Sequence, residues 1–422
     1  MKIAIGNVGS TSLKTKIIEF GETGRSAILG EANLDKIKTG GKSNFTHRAG
    51  DNPRTEEQVD ILGFKNGLEL ILRWYKDNGV LSDTSDIQAV GFKTVLAGPG
   101  RGTCRLTREV LEEMEYFSFV APAHNMPYVE TIELFGGILG DIPLVGVFEP
   151  SFHNRIPEYR RLTGLPLELE QELGIEQKGF HGSTGRYGAE RVRQMHLRYC
   201  RETGLRAPAP FRLIYNHLGG SSSTHAILDG ESLASSMKFS PQSGHYQGTR
   251  VGDIDIYAVL YAMKKKGFSL GEIEEILSEK SGLAGISGIE SGEMVDIVAA
   301  AGKGDPRARL ALDAYVDNVR GFIGAYTAVL EGVDAIGFAG GIGEKDVETR
   351  AGICAGFEYL GLRLDTRKNN SVRGVDGRIT TDESPVQVYV VQTNEELVVA
   401  CFTKQVVELG RDLAPEEMEF KL

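Results

Sequence analysis

Residues 7–14 read Asn7-Val8-Gly9-Ser10-Thr11-Ser12-Leu13-Lys14. Ahead of them, Ile3-Ala4-Ile5 is an apolar run of the kind that makes a buried strand, and Ile17-Ile18 falls on a returning one. The octet is therefore a strand–turn–strand connection carrying a glycine, three hydroxyls, an amide and a lysine. Gly9 allows another group to approach the backbone closely. Ser10, Thr11 and Ser12 offer hydroxyl donors, and Lys14 adds a positive charge. Such a turn suits a phosphate, and on its own it also suits an ordinary serine-rich hairpin. No Gly-Lys-Ser/Thr closes it, so it is not a Walker A loop.

The same device recurs in Arg212-Leu213-Ile214-Tyr215-Asn216-His217-Leu218-Gly219-Gly220-Ser221-Ser222-Ser223-Thr224. Again an apolar strand runs through Asn to Gly and hydroxyls, and a second strand follows through Ile227. Repetition of one strand–turn–strand unit predicts two related α/β domains. Two phosphate-type turns facing each other across a central cleft would form a phosphoryl-transfer site.

Bulk properties agree with this class. A chain of 422 residues exceeds one comfortable core, and 41% hydrophobic with 25% charged residues is a globular composition. A net charge of −11 without a Lys/Arg run argues against nucleic acid as a partner. Cys104, Cys200, Cys354 and Cys401 lie far apart with no metal-type spacing, as in a cytoplasmic chain with free thiols. Gly6 and Asn7 break the first apolar run, unlike a signal peptide, and no segment nears the roughly 18 apolar residues of a membrane helix.

A third element follows the clearest helix. Asp305 is a good N-cap with Pro306 at the first helical position. Leu312, Tyr315, Val316, Val319, Phe322, Ile323, Tyr326 and Leu330 then recur at helical spacing, a stripe for a core or a subunit interface. Ala335–Ala339 reads as a strand, and Gly340-Gly341-Ile342-Gly343-Glu344 as a glycine-rich loop that lets a nucleotide lie against backbone N–H groups.

Together these segments resemble the acetate kinase family, the acetokinases of the actin-like superfamily. The resemblance runs through nearly the whole chain and includes Val147-Phe148-Glu149, Gly179-Phe180-His181-Gly182, Gly248-Thr249-Arg250-Val251-Gly252-Asp253 and Thr393-Asn394-Glu395-Glu396. It implies an α/β fold of two actin-like (ribonuclease H-like) domains around a central cleft. Residues 1–150 plus about 385–422 would form the first, and 151–384 the second, with a homodimer interface. It implies ATP-dependent, Mg²⁺-assisted and reversible phosphorylation of a short-chain carboxylate to an acyl phosphate, with no membrane partner. Glu149, His181 and Arg250 would be catalytic; Asn7 and Glu395 would organise Mg²⁺. Lys93, Val95, His124 and Pro241 would form the substrate pocket. Ser10, Ser12, Lys14 and the turn His217, Leu218, Gly219, Gly220, Ser221 would meet nucleotide phosphates. Gly341, Ile342, Gly343, Glu344 and Lys345 would line the adenosine side.

The chain departs from the family pattern at four places. Lys93 stands where the family carries an arginine for the substrate carboxylate, and Glu149 where it carries a catalytic aspartate. The usual His-Leu-Gly-Asn-Gly turn reads His217-Leu218-Gly219-Gly220-Ser221, and no arginine accompanies Glu293-Met294-Val295 near the adenine position. Charge sign is kept at both catalytic changes, which favours an active kinase, with a carboxylate larger than acetate as one expectation. A catalytically silent nucleotide-binding protein and a kinase using another donor, such as pyrophosphate, stay open as alternatives.

Overall fold

A computed structural model describes residues 1–9, 11–22, 24–37, 42–98, 100–120 and 122–422, the last segment without the side chains of 122–124. Two compact units emerge. One comprises Met1–Ser151 with Asn394–Phe420, the other Phe152–Thr393 with Lys421–Leu422.

The first unit is built on β1 (Lys2–Val8), β2 (Ser12–Phe20), β3 (Ser26–Asp35), β4 (Lys42–Ala49), β5 (Thr55–Asp60), β6 (Ile87–Thr94), β7 (Thr103–Arg105) and β8 (Leu144–Phe148). They form one sheet in the order β5-β4-β3-β2-β1-β6-β8-β7. The hairpins β1–β2 and β2–β3 are antiparallel, whereas β6 runs parallel to β1 and β8 parallel to β6. Parallel neighbours need a crossover, and helices Phe64–Asp77 and Pro122–Leu139 lie in those connections. From the other end of the chain, helix Glu395–Leu409 packs on β6. At Gly91 a Cβ would lie 2.3 Å from Thr403 Oγ1 and 2.9 Å from Val399 Cγ1, so only glycine admits the helix this close.

In the second unit the strands are β9 (Arg212–Leu218), β10 (Ser222–Leu228), β11 (Glu231–Ser235), β12 (Ala335–Ala339), β13 (Gly377–Arg378) and β14 (Gln387–Val390), in the order β11-β10-β9-β12-β14-β13. Here β9–β10 and β10–β11 are antiparallel, while β12 is parallel to β9 and β14 to β12. Five strands thus repeat one connectivity in both units, the ribonuclease H-like pattern of actin-like proteins. Because β14 belongs to this sheet, the chain returns to the first unit at Asn394, later than the expected point of about residue 385.

Strand alternation divides the second core. Ile214, Ile336, Phe338, Val388 and Val390 pack with Leu312, Tyr315, Val319 and Ile323 of helix Pro306–Val329. Leu213, Tyr215, Ala335, Ala339 and Tyr389 pack with Ala189 and Val192 of helix Gly182–Thr203. Asp305 caps the former helix through the N–H groups of Arg307 and Ala308, where the sequence places its start. Its apolar stripe is consumed inside the unit's own core, so that stripe is no argument for a subunit interface.

Arg350 is the largest fully buried side chain. Its guanidinium donates to Asn369 Oδ1 at 2.9 Å and to the carbonyls of Gly343 at 2.8 Å, Asn369 at 3.0 Å and Val372 at 2.7 Å. Burial pushes its pKa down to about 10, with Asp346 opposing. Arg350→Met would strand the carbonyls of Gly343, Asn369 and Val372 and the Asn369 side-chain oxygen, and we expect the second unit to lose about 3–5 kcal/mol. Urea unfolding monitored in that unit checks this; a loss below about 1 kcal/mol would contradict it.

Candidate active site

In open sheets ligands gather outside the carboxyl ends of parallel strands. In the first unit Asn7 lies near that end of β1, Lys93 near that end of β6, and Glu149 directly after β8. Register sets Ile5 beside Gly91 and Lys93 beside Val147, so Asn7 and Lys93 point to one face. That face receives helix Glu395–Leu409. Glu395, Val399 and Thr403 recur every four residues, and since the last two cover Gly91, the first reaches Lys93. Lys93 Nζ donates to Glu395 Oε2 at 2.6 Å, the two side chains being 22% and 15% exposed. Tyr128, on helix Pro122–Leu139, donates to Asn7 Oδ1 at 3.1 Å.

Burial alone would lower the pKa of Lys93, but the carboxylates of Glu395 and Glu149, with Tyr128, override it and raise the pKa above the ordinary lysine value. Glu149 is itself buried, at 4% exposure. Burial pushes the Tyr128 phenol up to about 12, against the pull of Lys93. The pKa of Lys93 is higher folded than unfolded. The stability it contributes is therefore complete below the ordinary lysine pKa and is lost only as pH rises through the raised one.

Other expected residues of this unit stand around the cluster. Lys14 is paired with Asn7 on β2, on the same face, and is exposed. Ser12 opens β2 half-buried, and Val95 is buried just beyond β6. Ser10 and the side chain of His124 lie outside the described residues.

The second unit gathers its own group around the β9–β10 turn. Ser222 Oγ donates to the Gly219 carbonyl at 3.0 Å, closing the turn. Gly340 follows β12 at φ +74°, where a Cβ would lie 2.6 Å from the Leu218 carbonyl, so Gly341 comes beside Gly219. The Gly220 carbonyl accepts from Gly248 N–H at 2.9 Å, and Ser221 Oγ donates to Gln247 Oε1 at 2.9 Å. Gln247 in turn donates to the Pro241 carbonyl at 2.9 Å. Arg250, half-buried, reaches Ser221 Oγ and Gln247 Oε1 at 3.4 Å each, the outer limit of a hydrogen bond. Burial lowers its pKa, yet a guanidinium keeps its charge.

His181 precedes helix Gly182–Thr203 with φ 57° and ψ 36°, and its Nδ1 lies 2.8 Å from Ser223 Oγ. Its ring centroid is 4.5 Å from that of His217, which β-register sets opposite Ser223. The structure therefore brings His181, His217, Gly219, Gly220, Ser221, Pro241, Arg250 and Gly341 into one region. Leu218 and Ile342 turn their side chains into the core. The Gly343 carbonyl is taken by Arg350, and the Glu344 carboxylate accepts from Thr393 N–H at 3.1 Å. Burial raises the pKa of Glu344, and Lys345 is exposed.

Tyr128, Ser223 and Gln247 are additions to the residues that sequence motifs single out. Ser223 was accessible through strand pairing, once β9 and β10 are aligned on their turn. Tyr128 carries no such signal, because its reach to Asn7 depends on how a distant helix packs.

Among the described residues no group of three His, Cys, Asp or Glu side chains is placed to hold a metal ion. Mg²⁺ in phosphoryl-transfer sites is held through one or two carboxylates, with waters and substrate phosphates completing the shell. Asn7, Glu149 and Glu395 are hard oxygen donors of that kind.

A ribonuclease H-like sheet repeated in both units, with polar groups at its strand ends, defines an actin-like fold. Residues 2–401 match the model of the acetokinase family. An acetate kinase of Bacteroides fragilis is 36% identical over 414 residues, covering 97% of this chain and 100% of that one. One from Clostridium botulinum is 37% identical over 409 residues, covering 96% and 99%. The crystal structure of Porphyromonas gingivalis acetate kinase superposes with a TM-score of 0.81 at 30% identity, over 96% of this chain and 99% of that one. A propionate kinase from Francisella tularensis gives 0.83 at 28% identity with the same coverage. The chain belongs to the acetokinase family, kinases whose phosphoryl acceptor is a carboxylate.

Bonded to Glu395 and in the field of Glu149, the Lys93 amine should resist acylation. At pH 9 we expect labelling by acetic anhydride to be about tenfold or more slower at Lys93 than at exposed Lys14. Peptide mass spectrometry of the native protein reads both sites, and equal rates would contradict the arrangement.

Proposed function

We propose that this protein transfers the γ-phosphoryl group of ATP to a short-chain carboxylate, reversibly, giving ADP and an acyl phosphate. One observation carries the reading: Asn7, Lys93, Glu149 and Glu395 converge at the carboxyl ends of parallel strands in a family whose relatives include acetate and propionate kinases. Those relatives favour a short-chain carboxylate kinase over a silent nucleotide binder or a pyrophosphate-dependent kinase.

Phosphoryl transfer requires positioning and charge neutralisation more than covalent chemistry. Arg250, loosely bonded over the turn, is free to present its planar fork to the transferring oxygens. His181 donates a hydrogen bond to the same group. The turn 217–221 meets the nucleotide phosphates, and Gly341 leaves backbone near the purine side. Asn7 and Glu395 would hold Mg²⁺ and its waters; the ion would neutralise phosphate charge. Lys93 orients the substrate carboxylate while Glu149 aligns its attacking oxygen, with Val95 beside them as an apolar wall. A lysine ammonium pairs with a carboxylate without the bidentate geometry of arginine.

The protein is proposed to be cytoplasmic, in keeping with its four free thiols, and no helix among the described residues is long and apolar enough to cross a membrane. A homodimer through the second unit fits the exposed Ile256, Tyr257, Leu260 and Tyr261 of helix Ile256–Lys266. Light scattering should then report twice 45.9 kDa, and Tyr257→Glu/Tyr261→Glu should report one chain. A wild-type monomer at micromolar concentration would contradict the dimer.

The function is tested by following acyl phosphate formation from acetate, propionate and butyrate with ATP, GTP and pyrophosphate. We expect turnover with ATP and at least one of the acids, and Arg250→Ala to cut kcat by about 10²–10⁴-fold. Nucleotide binding without turnover on any acid, or turnover with pyrophosphate alone, would overturn the reading.

A further inference from the structure

Gln247 is fully buried, and its side chain joins three segments of the second unit. Its Nε2 donates to the Pro241 carbonyl at 2.9 Å, and its Oε1 accepts from Ser221 Oγ at 2.9 Å and from Arg250 Nη1 at 3.4 Å. Arg250 Nη1 also reaches Ser221 Oγ at 3.4 Å. Among the described residues these two oxygens are the only hydrogen-bond partners of the Arg250 guanidinium, and no carboxylate forms an ion pair with it. Burial alone lowers the pKa of Arg250, with no neighbouring charge to offset it.

The backbone around this weakly held cation is tied down on both sides. Gln247 N–H donates to the Arg250 carbonyl at 3.1 Å, and the Gln247 carbonyl accepts from Leu283 N–H at 2.8 Å. Gly248 N–H bonds the Gly220 carbonyl at 2.9 Å, the Thr249 carbonyl accepts from Ser281 N–H at 2.9 Å, and Val251 N–H donates to the Leu277 carbonyl at 2.9 Å. The main chain of residues 247–251 is therefore fixed, and the Arg250 side chain is the part left to be aimed.

The amide of Gln247 has one orientation that serves all its partners. A carbonyl such as that of Pro241 only accepts and a guanidinium only donates, so Nε2 faces Pro241 and Oε1 faces Ser221 and Arg250. A carboxylate in its place would form a charge-assisted bond, roughly twice as strong as a neutral one, and would neutralise the cation. An apolar side chain would leave the guanidinium with one hydroxyl. The family turn ends in glycine where this chain has Ser221, so the hydroxyl in this bridge is the chain's own.

We propose that Gln247 is a positioning residue whose amide, together with Ser221, holds the Arg250 guanidinium over the β9–β10 turn without neutralising it. The proposal rests on Arg250 meeting the transferring phosphoryl oxygens, but the hold itself is a property of the protein without substrate. A donor aimed in advance needs no reorganisation when charge moves, and a weak neutral acceptor gives it up at little cost.

The test is ¹⁵N spectroscopy of arginine-labelled protein, with Arg250 assigned by its loss in Arg250→Ala, joined to kinase assays on the same variants. Gln247→Glu keeps the shape and adds a charge. It should slow rotation of the Arg250 guanidinium about tenfold or more and cut kcat about a hundredfold. Gln247→Met should leave that rotation at least as fast as in wild type and cut kcat about tenfold. In Arg250→Ala the same methionine change should alter kcat by less than about threefold, because nothing remains to be aimed. An unslowed guanidinium in Gln247→Glu, or equal losses from Gln247→Met in both backgrounds, overturns the hold. If Gln247→Glu does not fold, the methionine cycle decides. Absence of turnover in wild type, with the guanidinium slowed in Gln247→Glu, would instead overturn the phosphotransfer reading and leave the hold standing.

Discussion

A lysine ammonium bonded to one carboxylate, in the field of a second, is the interaction on which the first unit's strand ends depend. Lys93 and Glu395 are 302 positions apart in sequence, yet their hydrogen bond is 2.6 Å long. It joins β6 to a helix that arrives only after the whole second unit has been threaded. Without that cation, Glu395 and Glu149 would present two negative charges in a poorly hydrated corner of the sheet end, where like charges repel most strongly. The pair therefore sets both the geometry of the strand ends and the charge they present. It also makes Lys93 a different object from a surface lysine. Its charge is fixed across the physiological range, and its position is dictated by the helix that holds Glu395.

The second unit reaches its polar site by another route. Its turn is organised by short backbone bonds and by glycines, with Gly340 pressed on Leu218 and Gly248 bonded to Gly220. Arg250 and His181 come from segments beside that turn, and His217 from β9 itself. Arg350 supports the glycine-rich segment from below through Gly343. One connectivity thus carries two sets of polar groups: oxygen donors and a paired lysine in the first unit, a guanidinium and two adjacent, tilted histidines in the second.

Much of this was legible in the sequence. The two strand–turn–strand segments announced the duplication, because an apolar run ending in Asn, Gly and hydroxyls is a local pattern. The Asp305-Pro306 start of the long helix was equally local, since capping involves neighbouring residues. What could not be read depended on packing. The stripe on helix Pro306–Val329 fits a core or an interface until its partners are known. The Lys93–Glu395 pair needs the approach of a helix from the far end of the chain, and only the small size of Gly91 hints at it. The point of return at Asn394 depended on whether Gln387–Val390 joined the second sheet, a non-local pairing that composition does not encode.

The most direct measurement is a double-mutant cycle on Lys93 and Glu395, using urea unfolding of the first unit in wild type, Lys93→Met, Glu395→Gln and the double variant. Lys93→Met removes the cation that both carboxylates feel, whereas Glu395→Gln leaves Lys93 in the field of Glu149. The lysine change should therefore cost more, and the double variant should recover part of that cost, with a coupling energy of about 1–3 kcal/mol. Additivity of the two single changes to within about 0.5 kcal/mol would contradict the organising role of the pair.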